Sequence, residues 1–267
     1  MDYLFDKWAR VASRLQEGSI FIFLDFDGTL APIALTPEKA SLPAKVKETL
    51  KKISNKTDFT LAFISGRSLK DIKEKIGLKN VIYSGNHGLE IEGPKIKFAA
   101  PLSLRYKAIL GKIKNDLENK LTFIKGVFIE DKGLSLAIHY RLADKKQVPL
   151  VKTIFHETVI IHLVRNKIKI KAGKKVLEIR PPLEWDKGRV VLWLLARQKF
   201  ASSNSRVIPV YMGDDITDED AFKALSHRGI TIFVGSLKQS CAQYYLKDTD
   251  EVAEFLRRIL AIKEERS

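Results

Sequence analysis

The sequence predicts an α/β protein: a doubly wound, mostly parallel, Rossmann-like core with a smaller α/β cap domain inserted into it. Three observations lead there. Short apolar runs followed by amphipathic stretches recur in the first and last thirds of the chain, the pattern of parallel strands covered by helices. In the middle third the strand-like runs arrive in pairs, as antiparallel strands do. The 267 residues, 45% of them hydrophobic, suffice for one large core plus an insert.

Taken in order, the core strands are expected at 20–24, 59–64, 81–83, 207–212 and 230–234. Between the first two, Pro43 suits the opening turn of a helix whose Val46, Leu50 and Ile53 share one face. After the second, Ser68 and Asp71 make a capping-box pattern ahead of Leu69, Ile72 and Ile76. The middle third reads as a helix at 104–121, strands at 123–129 and 134–141, a helix at 148–159, then strands at 162–170 and 175–179. Strict alternation through Lys167-Ile-Lys-Ile-Lys171 suits an antiparallel strand with one wet face. The core domain is therefore assigned to 1–102 and 181–267, and the cap to 103–180. Trp185-Asp186-Lys187-Gly188 opens a further helix, and Thr217 and Asp220 suit the cap of one running through Ala221, Phe222 and Leu225.

Composition excludes several classes. The single cysteine, Cys241, forbids an intramolecular disulfide framework and reads as a small buried thiol. The longest apolar run, 190–196, falls far short of the roughly 20 residues of a membrane span, and the first ten residues lack the apolar region of a signal peptide. A cytoplasmic protein is expected, with no membrane partner. The formal net charge of +15 attracts anions. Because the lysines are interspersed with acids, that charge reads as a solvated surface and not a nucleic-acid-binding arm.

The sharpest chemical signal is Phe21-Ile-Phe-Leu-Asp25-Phe-Asp27-Gly-Thr-Leu30. A hydrophobic strand ends by presenting two carboxylates two residues apart, at the strand terminus where open parallel sheets bind ligands. Asp25 can attack as a carboxylate nucleophile, and Asp27 can donate a proton to a leaving oxygen and later activate water. A second acidic cluster, Asp214-Asp215-Ile-Thr-Asp218, follows another core strand. Two such clusters repel unless a cation lies between them, and hard oxygen donors suit Mg²⁺. Ser65, in Ile64-Ser-Gly-Arg67, ends a third strand just before a helix N-terminus and can hold a phosphoryl oxygen. Lys187, in a first helical turn, can reach a phosphoryl group and keep Asp25 ionised.

These four pieces, in their chain order of Asp25 and Asp27, Ser65, Lys187 and Asp214, resemble the haloacid dehalogenase-like phosphohydrolase superfamily. More narrowly, the chain from about 20 to 258 resembles the trehalose-6-phosphate phosphatases. The strings that carry this are Leu24-Asp-Phe-Asp-Gly-Thr-Leu-Ala-Pro-Ile33, Gly85-Asn-His-Gly-Leu-Glu90, Glu130-Asp-Lys-Gly-Leu-Ser-Leu-Ala-Ile-His-Tyr-Arg141, Glu178-Ile-Arg-Pro181 before Asp186-Lys-Gly188, and Gly213-Asp-Asp-Ile-Thr-Asp-Glu-Asp-Ala-Phe222. The resemblance implies a phosphoric monoester hydrolase acting through an aspartyl-phosphate on Asp25. It implies Mg²⁺ held by Asp25, the main-chain carbonyl of Asp27 and Asp214, and a trehalose-phosphate synthase as the source of substrate. Sugar recognition is carried to Glu130, Lys132, Lys174 and Glu178 in the cap, with Arg67, His87 and Arg141 as weaker candidates. His139 is equally a packed core histidine and stays outside the set. Whether Asp215 or Asp218 supports the metal is open. The alternatives are a sister enzyme for sucrose 6-phosphate or mannosyl-3-phosphoglycerate, and a non-catalytic regulatory module. The intact Asp25, Asp27, Lys187 and Asp214 argue against the latter.

Overall fold

The computed structural model describes residues 1–173, 175–201, 206–236 and 239–264. It divides into two compact units, Met1–Phe98 with Trp185–Ser267, and Ala99–Glu184.

The larger sheet contains β1 (Asp2–Tyr3), β2 (Ser19–Leu24), β3 (Phe59–Ile64), β4 (Ile82–Gly85), β5 (Glu90–Gly93) and β6 (Ile96–Ala99). After the strands of the second unit come β11 (Val207–Gly213), β12 (Ile230–Val234) and β13 (Tyr244–Leu246). Their spatial order is β1-β13-β12-β11-β2-β3-β4-β5-β6. Every pairing from β1 to β4 is parallel, and β4–β5 is antiparallel. The strands read as unbroken apolar runs because both faces are covered. On β2, Ile20, Ile22 and Leu24 enter one core, with Val11, Val46, Leu50, Ile72 and Phe255 of the surrounding helices. Phe21 and Phe23 enter the other, with Val190, Leu194 and Phe222.

The helices of this unit are α1 (Trp8–Gln16), α2 (Ala44–Ser54), α3 (Leu69–Ile76), α6 (Lys187–Ala201), α7 (Glu219–Leu225) and α8 (Thr249–Glu264). Pro43 precedes α2, and Val46, Leu50 and Ile53 are its buried face. The Ser68 hydroxyl caps α3 by accepting from the Asp71 N–H.

The second unit is a four-stranded antiparallel sheet, β7 (Phe128–Asp131), β8 (Leu136–His139), β9 (Lys169–Gly173) and β10 (Val176–Arg180), in the order β7-β8-β10-β9. Leu136, Ile138, Leu177 and Ile179 pack with α4 (Leu104–Leu121) and α5 (Val148–Val164) around Leu117, Phe155 and Val159.

Four expectations need correction. The strand expected at 123–129 starts at Phe128, because the chain first turns at Gly126 (φ 83°) and leaves Phe123 exposed. The strand expected at 162–170 starts at Lys169. Its apolar beginning continues α5 to Val164, since a short apolar run has no period that separates helix from strand, and the turn falls at Asn166 (φ 48°). The cap of α7 is Asp218, not Thr217 or Asp220. Thr217 instead gives both its N–H and its hydroxyl to Asp215 Oδ1. Cys241 is exposed, on the loop before β13, where its N–H donates to Glu219 Oε2.

Candidate active site

Strands β2 and β11 are neighbours, and both end at the same edge of the larger sheet, so Asp25 and Asp214 emerge side by side. Asp25 N–H donates to the Met212 carbonyl, which locks the two strand ends in register. Behind Asp25 the chain turns at Gly28, whose φ of +86° few other residues adopt. A Cβ there would stand 2.2 Å from Asp214 Oδ2, so only glycine lets the two acidic segments approach. One carboxylate oxygen from each of Asp25, Asp214 and Asp218 lies within 4.8 Å of the other two, and all three residues are buried.

Lys187, the first residue of α6, reaches into this cluster. Its Nζ donates to Asp25 Oδ1 at 2.8 Å and to Asp218 Oδ1 at 2.7 Å. Burial works against its charge, but the Asp218 and Asp25 carboxylates outweigh it and hold the ammonium well above its ordinary range. The Asp25 carboxyl is pushed well up. Burial is the main cause; Lys187 opposes it, and Asp218, Asp214 and Asp215 add to it. Three buried carboxylates against one ammonium leave two negative charges in excess, which one divalent cation offsets. The donor set is all oxygen, as Mg²⁺ requires, so the residues fit that ion.

Asp218 is a scaffold. Its Oδ1 accepts from Lys187 and the Tyr211 hydroxyl, and its Oδ2 accepts from the N–H groups of Asp214 and Asp215. All of its acceptor capacity near the cluster is thereby engaged. Asp215 is turned to Thr217. Burial raises its carboxyl, but Lys187 and the Thr217 donors prevail and hold it at about 2.

Ser65 follows β3, 1% exposed, and its Oγ accepts from the Arg67 N–H. Arg67 forks onto Asp27, Nε to Oδ2 at 2.7 Å and Nη2 to Oδ1 at 2.6 Å, while Nη1 takes Asp71 Oδ2 at 2.6 Å. Burial disfavours this guanidinium, but Asp27 and Asp71 outweigh it and keep it charged. His87 sits on the turn after β4 in left-handed backbone conformation (φ 55°).

In the second unit the register of the antiparallel sheet aligns Glu130, Ala137, Glu178 and Lys171 in one row across β7, β8, β10 and β9. Lys132 Nζ and Ser135 Oγ donate to Glu178 Oε1 at 3.1 and 3.2 Å, and Arg180 holds Glu178 Oε2. His139 Nε2 lies 2.8 Å from Glu130 Oε2, with its ring stacked on Phe128. His139 is therefore part of the polar face and not of the core. Arg141 follows this sheet strand as an exposed residue, and Lys174 lies outside the described residues.

Sequence reasoning misses Tyr211, Ser135 and Arg180; it weighs Asp218 only as a support for the metal and leaves His139 outside the site. For Asp218 the signal was present in the acidic cluster. Tyr211 reads only as a core residue of an apolar strand, since its phenol meets a partner seven positions away.

The family model for trehalose-phosphatase matches residues 23–250. Trehalose-phosphate phosphatase B of Arabidopsis thaliana is 35% identical over 272 residues, covering 97% of this chain and 70% of that protein. Among solved structures, the C-terminal domain of C. albicans trehalose-6-phosphate phosphatase superimposes with a TM-score of 0.81 at 23% identity, over 95% of this chain and 96% of that one. The C-terminal domain of the Candida albicans trehalose synthase regulatory protein gives 0.70 at 13% identity, over 94% and 96%. Both structural likenesses establish the shared fold.

Proposed function

The chain belongs to the trehalose-phosphatase family, and on that premise we propose that it hydrolyses trehalose 6-phosphate through a phosphoryl group carried by Asp25. It is a phosphoric monoester hydrolase. A trehalose-phosphate synthase is its proposed source of substrate. No helix among the described residues is long and apolar enough to cross a membrane.

In the first half-reaction an Asp25 carboxylate oxygen attacks phosphorus, the bond from phosphorus to the sugar oxygen breaks, and Asp27 gives that oxygen a proton. In the second, Asp27 takes a proton from water as the water oxygen attacks phosphorus. The bond to Asp25 breaks, inorganic phosphate leaves, and both carboxyl groups return to their starting states. Lys187 keeps Asp25 ionised through the 2.8 Å bond to Oδ1 and faces the phosphoryl oxygens as a fixed positive charge. Ser65, with its Oγ lone pair taken by the Arg67 N–H, has its hydroxyl proton to donate to a phosphoryl oxygen. Asp25, Asp214 and the main-chain carbonyl of Asp27 would hold Mg²⁺, which when bound would supply charge stabilisation for the phosphoryl group and help keep both carboxylates ionised. Asp218 orients Lys187 and the two N–H groups beside Asp214.

For the second unit the proposed role is sugar recognition by Glu130, Lys132 and Glu178, joined by Lys174 from the resemblance, with Arg141 as a weaker contact there and Arg67 and His87 as weaker contacts from the first unit. A sugar presents many hydroxyls, and paired acids and bases in fixed geometry bind such groups in both donor and acceptor sense.

The observation that carries the reading is Lys187 buried between Asp25 and Asp218 beside Asp214. The test is phosphate release from trehalose 6-phosphate, sucrose 6-phosphate, mannosyl-3-phosphoglycerate and glucose 6-phosphate, with Mg²⁺ and with EDTA. Fastest release from trehalose 6-phosphate, abolished by EDTA and restored by Mg²⁺, is expected. Metal-independent release contradicts the charge argument. Preference for another ester transfers the same chemistry to that substrate.

A further inference from the structure

A concavity lies at the end of the larger sheet opposite the Asp25 and Asp214 strand ends. It has a volume of about 310 Å³ and is formed by α1 and the starts of β11, β12 and β13. Its rim carries Arg10, Arg14 and Arg206 with one carboxylate, Glu17, and buried Val11 and Tyr244 supply an apolar base. Arg206 precedes β11 and Asp214 follows it, so the two sites are separated by the length of that strand, roughly 26 Å at about 3.3 Å per residue. The cleft is therefore no part of the catalytic machinery.

Its charge is not explained by internal pairing. Arg10 and Arg14 are one helical turn apart on the same face of α1, where like charges repel. Among the described residues neither has an ion-pair partner. Arg206 pairs with Glu17 at 2.6 Å, but both side chains are substantially exposed (68% and 41%), so the pair contributes little. The backbone that carries Arg206 is held firmly. Its carbonyl accepts from the Ser19 N–H at 3.0 Å, and it lies so close to Gly18 that a Cβ there would stand 2.1 Å from it.

We propose that this cleft binds a small, hydroxyl-bearing phosphate monoester. Guanidinium forks match phosphoryl oxygens, and Arg10, Arg14 and Arg206 present three of them around one cleft. Glu17 accepts hydrogen bonds, so it selects a ligand with hydroxyls beside its phosphate and disfavours a bare anion. The apolar base at Val11 and Tyr244 covers the ring of a sugar. The volume stands at the low end of small-molecule sites, about 300–1,000 Å³, which suits a monosaccharide phosphate and excludes a polymer.

The test is calorimetric titration of the full chain in EDTA with glucose 6-phosphate, adenosine monophosphate or inorganic phosphate. Wild type is compared with the R10A/R14A double variant and with R206A. Glucose 6-phosphate is expected to bind wild type with a component that the double variant weakens at least tenfold and R206A weakens less. Phosphate release from trehalose 6-phosphate with Mg²⁺ is expected to be unchanged in all three proteins, which reports that the variants fold. Superimposable titrations of wild type and the double variant would overturn the site. Equal or tighter binding of inorganic phosphate would overturn the role of Glu17. Tighter binding of adenosine monophosphate would overturn the assignment to a sugar phosphate.

Discussion

Arg67 holds both carboxylate oxygens of Asp27, through Nε at 2.7 Å and Nη2 at 2.6 Å. A carboxylate gripped this way is fixed in place, and the second lone pair on each oxygen is left to carry the proton that goes to the leaving group. Loss of Arg67 leaves Asp27 unpositioned, and the damage falls on the step that needs its proton. Arg67→Ala is expected to slow hydrolysis of trehalose 6-phosphate by about 10²-fold, the low end of general acid contributions. It should slow p-nitrophenyl phosphate, whose leaving group needs no proton, by less than about tenfold. Arg67→Lys, which keeps the charge and loses the fork, falls between. Equal losses on both substrates would contradict the link from Arg67 to proton transfer.

Asp25→Asn removes the nucleophile and little else. The side chain is buried and its carboxyl is pushed up chiefly by that burial, so a neutral amide of the same shape suits the environment. Lys187 retains Asp218. The variant is expected to lose at least about 10³-fold in kcat while its thermal midpoint stays within a few degrees of wild type. Steady-state phosphate release and calorimetric melting check the two halves. Substantial turnover by the variant would remove Asp25 from its assigned role.

The strand ends were legible because each joins an apolar run to residues with no packing function. Leu24-Asp25-Phe26-Asp27 and Ile64-Ser65 each announce a buried strand that stops at a polar group. Convergence is legible only from the four motifs taken together, not from the residues around each one. Lys187 and Asp25 are 162 residues apart, and nothing near Lys187 distinguishes a buried lysine from a solvated one in a first helical turn. Asp218 was ambiguous for a different reason: in a run of acids it stands level with Asp215 as a support for the metal, and only the three-dimensional path turns it inward onto Lys187 and Tyr211. His139 shows the same limit in the smaller sheet. Alternation puts it on the face of Ala137, but whether that face is wet depends on the Glu130 and Glu178 rows paired to it from other strands.

The inward turn of Asp218 makes it a stability residue first. Four donors converge on its two oxygens, and its side chain is wholly buried. In Asp218→Asn one of those oxygens becomes an amide donor facing donors, and the Lys187 charge loses a partner. Breaking a buried pair from one side costs roughly 3–5 kcal/mol. A fall in the urea midpoint with unchanged slope is expected, larger than that of Asp25→Asn. A midpoint within experimental scatter of wild type would show that the network stabilises nothing.

Glu130 separates sugar binding from phosphoryl chemistry. It bonds His139 and shares its sheet row with Glu178, and all three belong to the smaller unit. Glu130→Ala is expected to raise KM for trehalose 6-phosphate at least about tenfold, the loss of one or two hydrogen bonds to charged groups. Turnover of p-nitrophenyl phosphate should stay within about twofold of wild type. Parallel losses on both substrates would instead assign Glu130 to the chemistry or to folding.

Stability at high pH rests on buried phenols in both units. Tyr83 both accepts from the Leu78 N–H and donates to the Leu78 carbonyl. Its phenol is raised by burial, an effect that the Leu78 N–H partly offsets. The Tyr106 hydroxyl donates to the Leu134 carbonyl, and its phenol is raised well above the ordinary range by burial and then by the Glu178 charge. A group whose folded pKa exceeds its unfolded value of about 10 contributes stability that is complete below pH ~10 and is lost as pH climbs toward the folded value. The unfolding free energy is therefore expected to fall above pH ~10, by up to about 1.4 kcal/mol per pH unit for each tyrosine that ionises only on unfolding. Tyr83→Phe and Tyr106→Phe each give up a hydrogen bond, so both start lower at pH 8, by about 1 kcal/mol. Their decline between pH 10 and 11.5 should nevertheless be shallower than wild type, because one fewer phenol is released to titrate. Urea unfolding across that range measures the slopes, and parallel slopes for wild type and both variants would show that these phenols are not the source of the alkaline loss.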